Sequence, residues 1–134
     1  MLFDPWLHTL PDRVVRAGVP VPHVIFISEQ WARWKAEMKH VRSLRKASRS
    51  LAVGGASFHG TRHQWISDAT LWMPSPFLRR FKVIGASCRD RVHDASARAT
   101  VLALRHLLDG GCGARGDDLD EQLQALDPEL VMPL

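Results

Sequence analysis

The chain has 134 residues, of which 46% are hydrophobic and 24% charged, and these values fit one globular domain of ordinary size. They exclude a wholly disordered or fibrous protein, and no apolar run approaches the ~18 residues that a transmembrane helix needs. Two cysteines, Cys88 and Cys112, are too few for a disulfide framework. We therefore expect reduced thiols and an intracellular location, in the cytoplasm or the nucleus.

Positive charge is concentrated in the body of the chain and negative charge at its C-terminal end. Residues 29–63 carry eight Lys or Arg and two acids, residues 79–106 carry seven and two, and residues 107–134 carry one and seven. A basic body favours a polyanionic partner, such as nucleic acid or an anionic membrane surface, although solvated charged faces are also common on soluble proteins. We predict a single α+β domain at residues 1–110, followed by a flexible linker and acidic C-terminal segment at residues 111–134.

The first half of the chain predicts a short helix, a strand and a long helix in that order. Pro11 and Gly18 bracket the short helix, and the continuous apolar run at residues 24–27 fits a buried strand. Ser28 then caps a helix that reaches about residue 50. Residues 51–60 contain two adjacent glycines and predict a loop or a short strand with a turn.

The second half predicts a hairpin followed by two helices. Residues 64–73 and 80–87 resemble strands, and a proline-containing loop joins them. The Ala-rich stretch 91–109 predicts a packed helix, and residues 117–126 predict a short acidic helix. We expect an α+β fold in which a small antiparallel sheet of about three strands packs against two helices, with a short C-terminal helix besides.

One face of the long helix carries five cations, which we name the basic ribbon. The cations step by four, three, four and three residues, so they fall within an arc of roughly 80° along about 21 Å of helix. Such a row matches a row of phosphates and gains affinity by counterion release, whereas the alternative is an ordinary solvated face. The ribbon consists of Lys35, Lys39, Arg42, Lys46 and Arg49.

A second basic stripe lies on the Ala-rich helix, where Arg91, Arg98 and Arg105 repeat every seven residues and Arg89 stands beside them. The stripe is either the solvent-facing edge of a buried helix or, if both stripes face the same side, half of a composite basic surface. The seven-residue spacing is compatible with both arrangements.

The order hairpin, then Ala-rich helix opened by basic residues, resembles the second half of a double-stranded-RNA-binding domain over residues 64–109. The resemblance implies shape recognition of A-form RNA through its backbone, with Arg89, Arg91 and Arg98 at the basic start of that family's helix. The chain departs from the family in lacking its usual Lys-Lys pair there.

Two sets of residues could carry other chemistry, but neither is complete. His59 and His63 have the spacing of metal ligands, yet no third ligand is evident and an arginine stands between them. Cys88 lies among arginines that would favour its thiolate, with His93 five residues on. We therefore predict no enzyme activity, no metal and no cofactor.

The sequence favours non-catalytic binding of nucleic acid, double-stranded RNA above DNA, through a basic surface that contacts the backbone. In that case the acidic C-terminal segment could fold back and compete for the same surface. The alternative is a protein–protein adaptor that docks a partner through an amphipathic helix. Its contacts would be Trp31 and Trp34, or Leu119, Leu123 and Leu126.

Overall fold

A four-stranded sheet separates two layers of helices. The computed structural model describes residues 1–48, 51–66, 72–109 and 116–134. The strands lie side by side in chain order: β1 (Leu2–Phe3), β2 (His23–Ser28), β3 (Ala52–Phe58) and β4 (Val131–Pro133). The first three strands are parallel, and β4 runs antiparallel to β3. The fold is α+β as expected, but the prediction of a three-stranded antiparallel sheet is wrong, because the sheet is mostly parallel.

The described residues form six helices, and two single turns of 3-10 helix occur at Leu7–Thr9 and His63–Ile66. No helix among these residues is long and apolar enough to cross a membrane. The helices are α1 (Asp12–Ala17), α2 (Glu29–Ala32), α3 (Lys35–Ser48), α4 (Ser75–Arg80), α5 (Arg89–Leu108) and α6 (Gly116–Leu126).

Strand β2 forms the centre of the protein, because every one of its residues is buried. Its side chains alternate between two cores, as the pleat of a strand requires. Val24 and Phe26 pack with α5 and α6 on one face, whereas Ile25 and Ile27 pack with α1, α2 and α3 on the other. The apolar run that predicted a buried strand is therefore confirmed, and two parallel crossovers place α1 and α3 in the same layer.

The predicted long helix is divided into α2 and α3 at residues 33–34. Ser28 caps α2 as expected, because its hydroxyl oxygen accepts a hydrogen bond from the Trp31 amide at 3.2 Å. Residues 51–60, predicted as a loop or short strand, contain the strand β3. Its glycines are needed there, since a Cβ on Gly54 would lie 2.8 Å from the Leu119 side chain of α6.

The predicted hairpin over residues 64–87 is wrong where the structure describes it. Residues 63–66 form a 3-10 turn, residues 67–71 lie outside the described range, and residues 75–80 form α4. The prolines are the physical reason, because Pro76 stands in the first turn of α4, where its missing N–H costs no helical bond. The hairpin that carried the resemblance to double-stranded-RNA-binding domains is thus not formed by the described residues, and the resemblance itself stays a prediction.

The acidic C-terminal segment is packed into the fold from residue 116 onward. Leu119 and Leu123 of α6 are completely buried in the core that also contains α5, and β4 extends the sheet beside β3. The predicted linker at residues 111–115 lies outside the described residues, so the domain boundary stays a prediction. Of the segment, the part that the structure describes belongs to the same core as the body of the chain.

Candidate nucleic-acid interface

Four members of the basic ribbon lie exposed along α3, and Arg49 lies outside the described residues. Lys35, Lys39, Arg42 and Lys46 are all exposed. Among the described residues, none of the four has an acidic partner. At 100° and 1.5 Å per residue they occupy an arc of about 60° over about 16 Å. The predicted row of cations is therefore present on the surface and not neutralised.

The opposite face of α3 explains why the ribbon faces solvent. Val41 and Leu44 are buried against β2 in the core that contains Ile25 and Ile27. The only acid of the helix, Glu37, is also completely buried, and one of its carboxylate oxygens contacts the His8 ring. Because that acid points inward, the outer face of α3 presents cations without an intervening negative charge.

A groove of about 650 Å³ runs between α1 and α3 beside the ribbon. The two helices approach closely at one end, where a Cβ on Gly18 would lie 2.8 Å from the backbone of Ala47. The α1 side contributes Arg16, which is paired with Asp12 at 3.1 Å. From α3 come Lys39, His40, Ser43 and Lys46. The ribbon thus borders a concave surface with three cations and one acid.

The second basic stripe lies on the other side of the sheet, so the two stripes form no composite surface. Helix α5 packs through Val92, Ala95 and Ala99 on the face of β2 that carries Val24 and Phe26. Helix α3 packs on the opposite face. The structure therefore corrects the composite interpretation.

Three of the four arginines of α5 are engaged by acids, in contrast to the ribbon, whereas the exposed Arg105 has no acidic partner among the described residues. Arg91 donates two hydrogen bonds of 2.6 Å to Asp127 and one of 2.9 Å to Glu129. Arg98 lies 3.6 Å from Asp94 in the same helix, and Arg89 donates to Asp90 at 3.1 Å. Site residues predicted on α5 thus have carboxylate neighbours that reduce their attraction for an anion.

The bidentate contact between Arg91 and Asp127 fixes both groups in their charged forms. Hydrogen bonding from Arg91 holds the pKa of Asp127 below its ordinary value, and the two carboxylates raise the pKa of Arg91 in turn. The acidic segment does fold back onto the basic body, as the sequence suggested. In these contacts, however, Asp127 and Glu129 reach α5 and not the ribbon.

Another polar cluster occupies the carboxyl ends of the parallel strands, the edge where ligands commonly bind in open α/β sheets. The buried Asp4 carboxylate accepts hydrogen bonds from the Ser28 amide at 2.6 Å and hydroxyl at 2.8 Å. His63 Nδ1 lies 3.0 Å from the same carboxylate, and His63 Nε2 lies 3.3 Å from Trp6 Nε1. Because an indole N–H can only donate, Nε2 accepts from Trp6, which leaves Nδ1 to donate to the Asp4 carboxylate.

Burial raises the pKa of Asp4 despite these hydrogen bonds. Both ring nitrogens of His63 have hydrogen-bond partners. The cluster therefore connects the ends of β1 and β2 to the residues that follow β3. The sequence indicates Asp4 only as a cap before Pro5 and gives it no part in such a cluster. In the structure its positive φ of 38°, unusual for a non-glycine residue, marks a tightly held turn.

The predicted histidine pair does not form a metal site in the described part of the chain. His63 bonds to Asp4, whereas His59 Nδ1 lies 3.7 Å from Glu29. Among the described residues, no group of three or more His, Cys, Asp or Glu side chains could hold a metal ion. Cys88 is a free, exposed thiol directly before α5.

The surfaces predicted for an adaptor are largely used inside the fold. Trp31 is buried, and the completely buried Leu119 and Leu123 fix α6 to the core. Trp34 remains exposed and packs edge-on against Trp31 and Trp6. A partner could therefore reach Trp34, but not the leucine face of α6.

No model of a known protein family matches the chain, and the search of the curated proteins also gives no match. The functional argument consequently depends on the placement of residues within this structure.

Proposed function

We propose that the protein binds the sugar-phosphate backbone of a nucleic-acid duplex through the basic ribbon of α3. The observation that carries this function is the set of exposed cations on α3 with no acidic partner among the described residues. Unpaired cations on a helix need not break an ion pair before they contact phosphates. Their contact also releases counterions condensed on the nucleic acid, which favours binding.

The dimensions of the ribbon suit such a target. Its four described cations extend over about 16 Å of helix, and a duplex carries about one phosphate charge per 1.7 Å of its axis. Several phosphates therefore lie within reach of Lys35, Lys39, Arg42 and Lys46. The groove between α1 and α3 adds Arg16 at the border of the same surface.

A row of cations along a helix suits phosphates, so we expect binding to depend on charge and shape. The preference for RNA derived from the predicted hairpin, which the described residues do not form. What remains is a duplex binder for which A-form and B-form targets must be compared directly. Binding of this kind requires neither a reaction nor a cofactor.

The test is the affinity of the full chain for a labelled RNA duplex and a matched DNA duplex over a salt series. The double variant Lys39→Ala/Lys46→Ala should bind more weakly. Each lost phosphate contact should also reduce the slope of log affinity against log salt by about 0.9 on B-DNA, hence by about 1.8 for two contacts.

The matched control removes two exposed arginines from the other side of the sheet, Arg98→Ala/Arg105→Ala. It changes the net charge equally, so equal losses in both variants would indicate a net-charge effect and contradict a specific role of α3. No binding of the wild-type chain at ~50 mM salt, where phosphate contacts are strongest, would also refute the function. The adaptor role, which stays a prediction, would then be the preferred hypothesis.

A further inference from the structure

The segment at residues 72–82, which we name the aromatic segment, exposes more apolar surface than any function above requires. Trp72 is 85% exposed, Phe81 68% and Phe77 58%. Met73, between them in sequence, is also exposed. Exposed aromatic side chains grouped within ten residues indicate an interaction surface, whereas scattered apolar residues do not.

The backbone holds these rings away from the core. Leu78 is completely buried and fixes α4 to the body of the protein. The Phe81 amide donates to the Phe77 carbonyl oxygen at 2.9 Å, which continues the helical turn as far as Phe81. Lys82 then adopts a left-handed conformation with φ of 55°, and the Val83 amide closes the turn on the Leu78 carbonyl oxygen at 2.8 Å.

Charge indicates what can cover this surface. Residues 72–88 contain no Asp or Glu. Arg79, Arg80 and Lys82 are exposed, and among the described residues none of them has an acidic partner. A second copy of the chain would place these cations against their equivalents, which opposes self-association. The complementary occupant is therefore anionic and accepts apolar side chains.

An anionic lipid surface meets both requirements. Tryptophan and phenylalanine enter the boundary between headgroups and acyl chains, while Arg and Lys reach the headgroups with their charged ends. The aromatic segment has this composition within eleven residues, and its three cations flank Phe81. None of its residues lines the groove beside the ribbon, which α1 and α3 form, so we treat the two as separate surfaces.

We propose that the aromatic segment is a peripheral docking site for anionic lipid surfaces, in which Trp72, Phe77 and Phe81 enter the interface. Arg79, Arg80 and Lys82 supply the preference for negatively charged headgroups. This site is independent of nucleic-acid binding by α3.

The experiment is co-sedimentation of the full chain with phosphatidylcholine vesicles, with and without phosphatidylserine. We expect binding only when phosphatidylserine is present. The variant Phe77→Ser/Phe81→Ser should lower the partition roughly tenfold or more. Because each cation near an anionic surface contributes about fivefold, Arg79→Gln/Arg80→Gln should lower the partition by about 25-fold.

The matched control is Leu104→Ser/Leu108→Ser, which removes two exposed apolar side chains at the same spacing on α5 and should bind like the wild type. Circular dichroism checks that each variant is folded. Absence of wild-type binding to phosphatidylserine vesicles would overturn the proposal, as would equal losses in the aromatic and control variants.

Two further arms separate this site from the ribbon and from a nucleic-acid platform. Lys39→Ala/Lys46→Ala should keep most of the vesicle binding even where it loses duplex binding, and the reverse result would overturn the lipid site alone. If the phenylalanine variant loses affinity for single-stranded RNA while vesicles never bind, the segment stacks on bases and the lipid site is refuted.

Discussion

Helices α3 and α5 carry basic stripes of similar spacing, and they differ in what lies next to those stripes. The only acid of α3 is buried, so Lys35, Lys39, Arg42 and Lys46 face solvent alone. On α5, Arg98 faces Asp94 within the helix, and the C-terminal segment brings Asp127 and Glu129 to Arg91. Tertiary placement of acids, and not the basic pattern itself, therefore determines which stripe can attract a polyanion.

The buried faces of the two helices differ as well. Helix α5 packs with the small residues Ala95, Ala99 and Ala103. Helix α3 packs with Val41 and Leu44, and it also buries the Glu37 carboxylate. Helix α3 thus keeps its acid inside and leaves its ribbon cations unpaired among the described residues, although Arg45 lies 3.9 Å from Asp120. Three of the four arginines of α5 face acids instead.

The largest effect on stability should follow from weakening the packing of α6, which belongs to the C-terminal segment whose acids contact α5. Leu123→Ala removes a completely buried side chain from the core shared by α5 and α6. It should lower the free energy of unfolding by about 2–5 kcal/mol, as measured by denaturant titration. Leu108→Ala, at a site that is 81% exposed, is the control and should change it by less than about 0.5 kcal/mol. Equal stability of both variants would mean that α6 is not part of the cooperative core.

The next effect concerns the buried acid that leaves the surface of α3 purely basic. His8→Ala removes the contact to Glu37, whose other carboxylate oxygen has no partner among the described residues. The free energy of unfolding should fall by about 1–3 kcal/mol, because a buried carboxylate loses its compensation.

The double variant His8→Ala/Glu37→Gln should regain most of that loss, since no buried charge then remains. Thermal unfolding of the single and double variants at neutral pH measures the difference. If the double variant is no more stable than His8→Ala, the charge of Glu37 is not the cause of the loss.

Much of the fold follows from local patterns in the sequence. The apolar run in β2, the Ser28 cap, the Pro11 and Gly18 boundaries of α1 and the period of α5 each have one physical interpretation, and the structure agrees with it. Residues 51–60, which contain strand β3, had two interpretations, a loop or a short strand, because Gly54 and Gly55 oppose strand formation locally. They are tolerated because α6 approaches the sheet at Gly54, a contact with residues about 65 positions away.

The site divides in the same manner. Exposure of the ribbon could be predicted, since the period of α3 fixes which face is apolar. The engagement of Arg91 could not, because Asp127 and Glu129 lie 36 and 38 residues further along the chain. The aromatic segment was interpreted as part of a hairpin, because its prolines favour a loop between two strands, whereas Pro76 stands in the first turn of a helix.

A smaller effect should appear in the pH dependence of stability. Arg91 lowers the pKa of Asp127 in the folded protein, so the ion pair contributes fully above the ordinary Asp pKa of ~3.9. That contribution is lost as the pH falls through the lowered pKa of the folded state. Asp127→Asn should therefore show a shallower fall of the thermal midpoint between neutral pH and about pH 3.

Asp4 acts with the opposite sign, because burial raises its pKa and its folded form holds a proton more tightly. Since the wild type and Asp127→Asn both contain Asp4, the difference between their profiles of thermal midpoint against pH isolates the effect of Asp127. Superimposable profiles would show that the contact between Arg91 and Asp127 does not contribute to folding in solution.

The smallest effect on stability should come from the ribbon itself. Among the described residues Lys39 and Lys46 have no acidic partner, so Lys39→Ala/Lys46→Ala breaks no ion pair there and removes repulsion between neighbouring cations. The free energy of unfolding should change by less than about 0.5 kcal/mol, and added salt should reduce even that difference because it screens the repulsion. Arg91→Ala, in contrast, should destabilise the protein, and without the arginine the pKa of Asp127 should no longer be held below its ordinary value. A ribbon variant that unfolds easily would mean that these cations support the fold, and their exposure would then no longer indicate a binding surface.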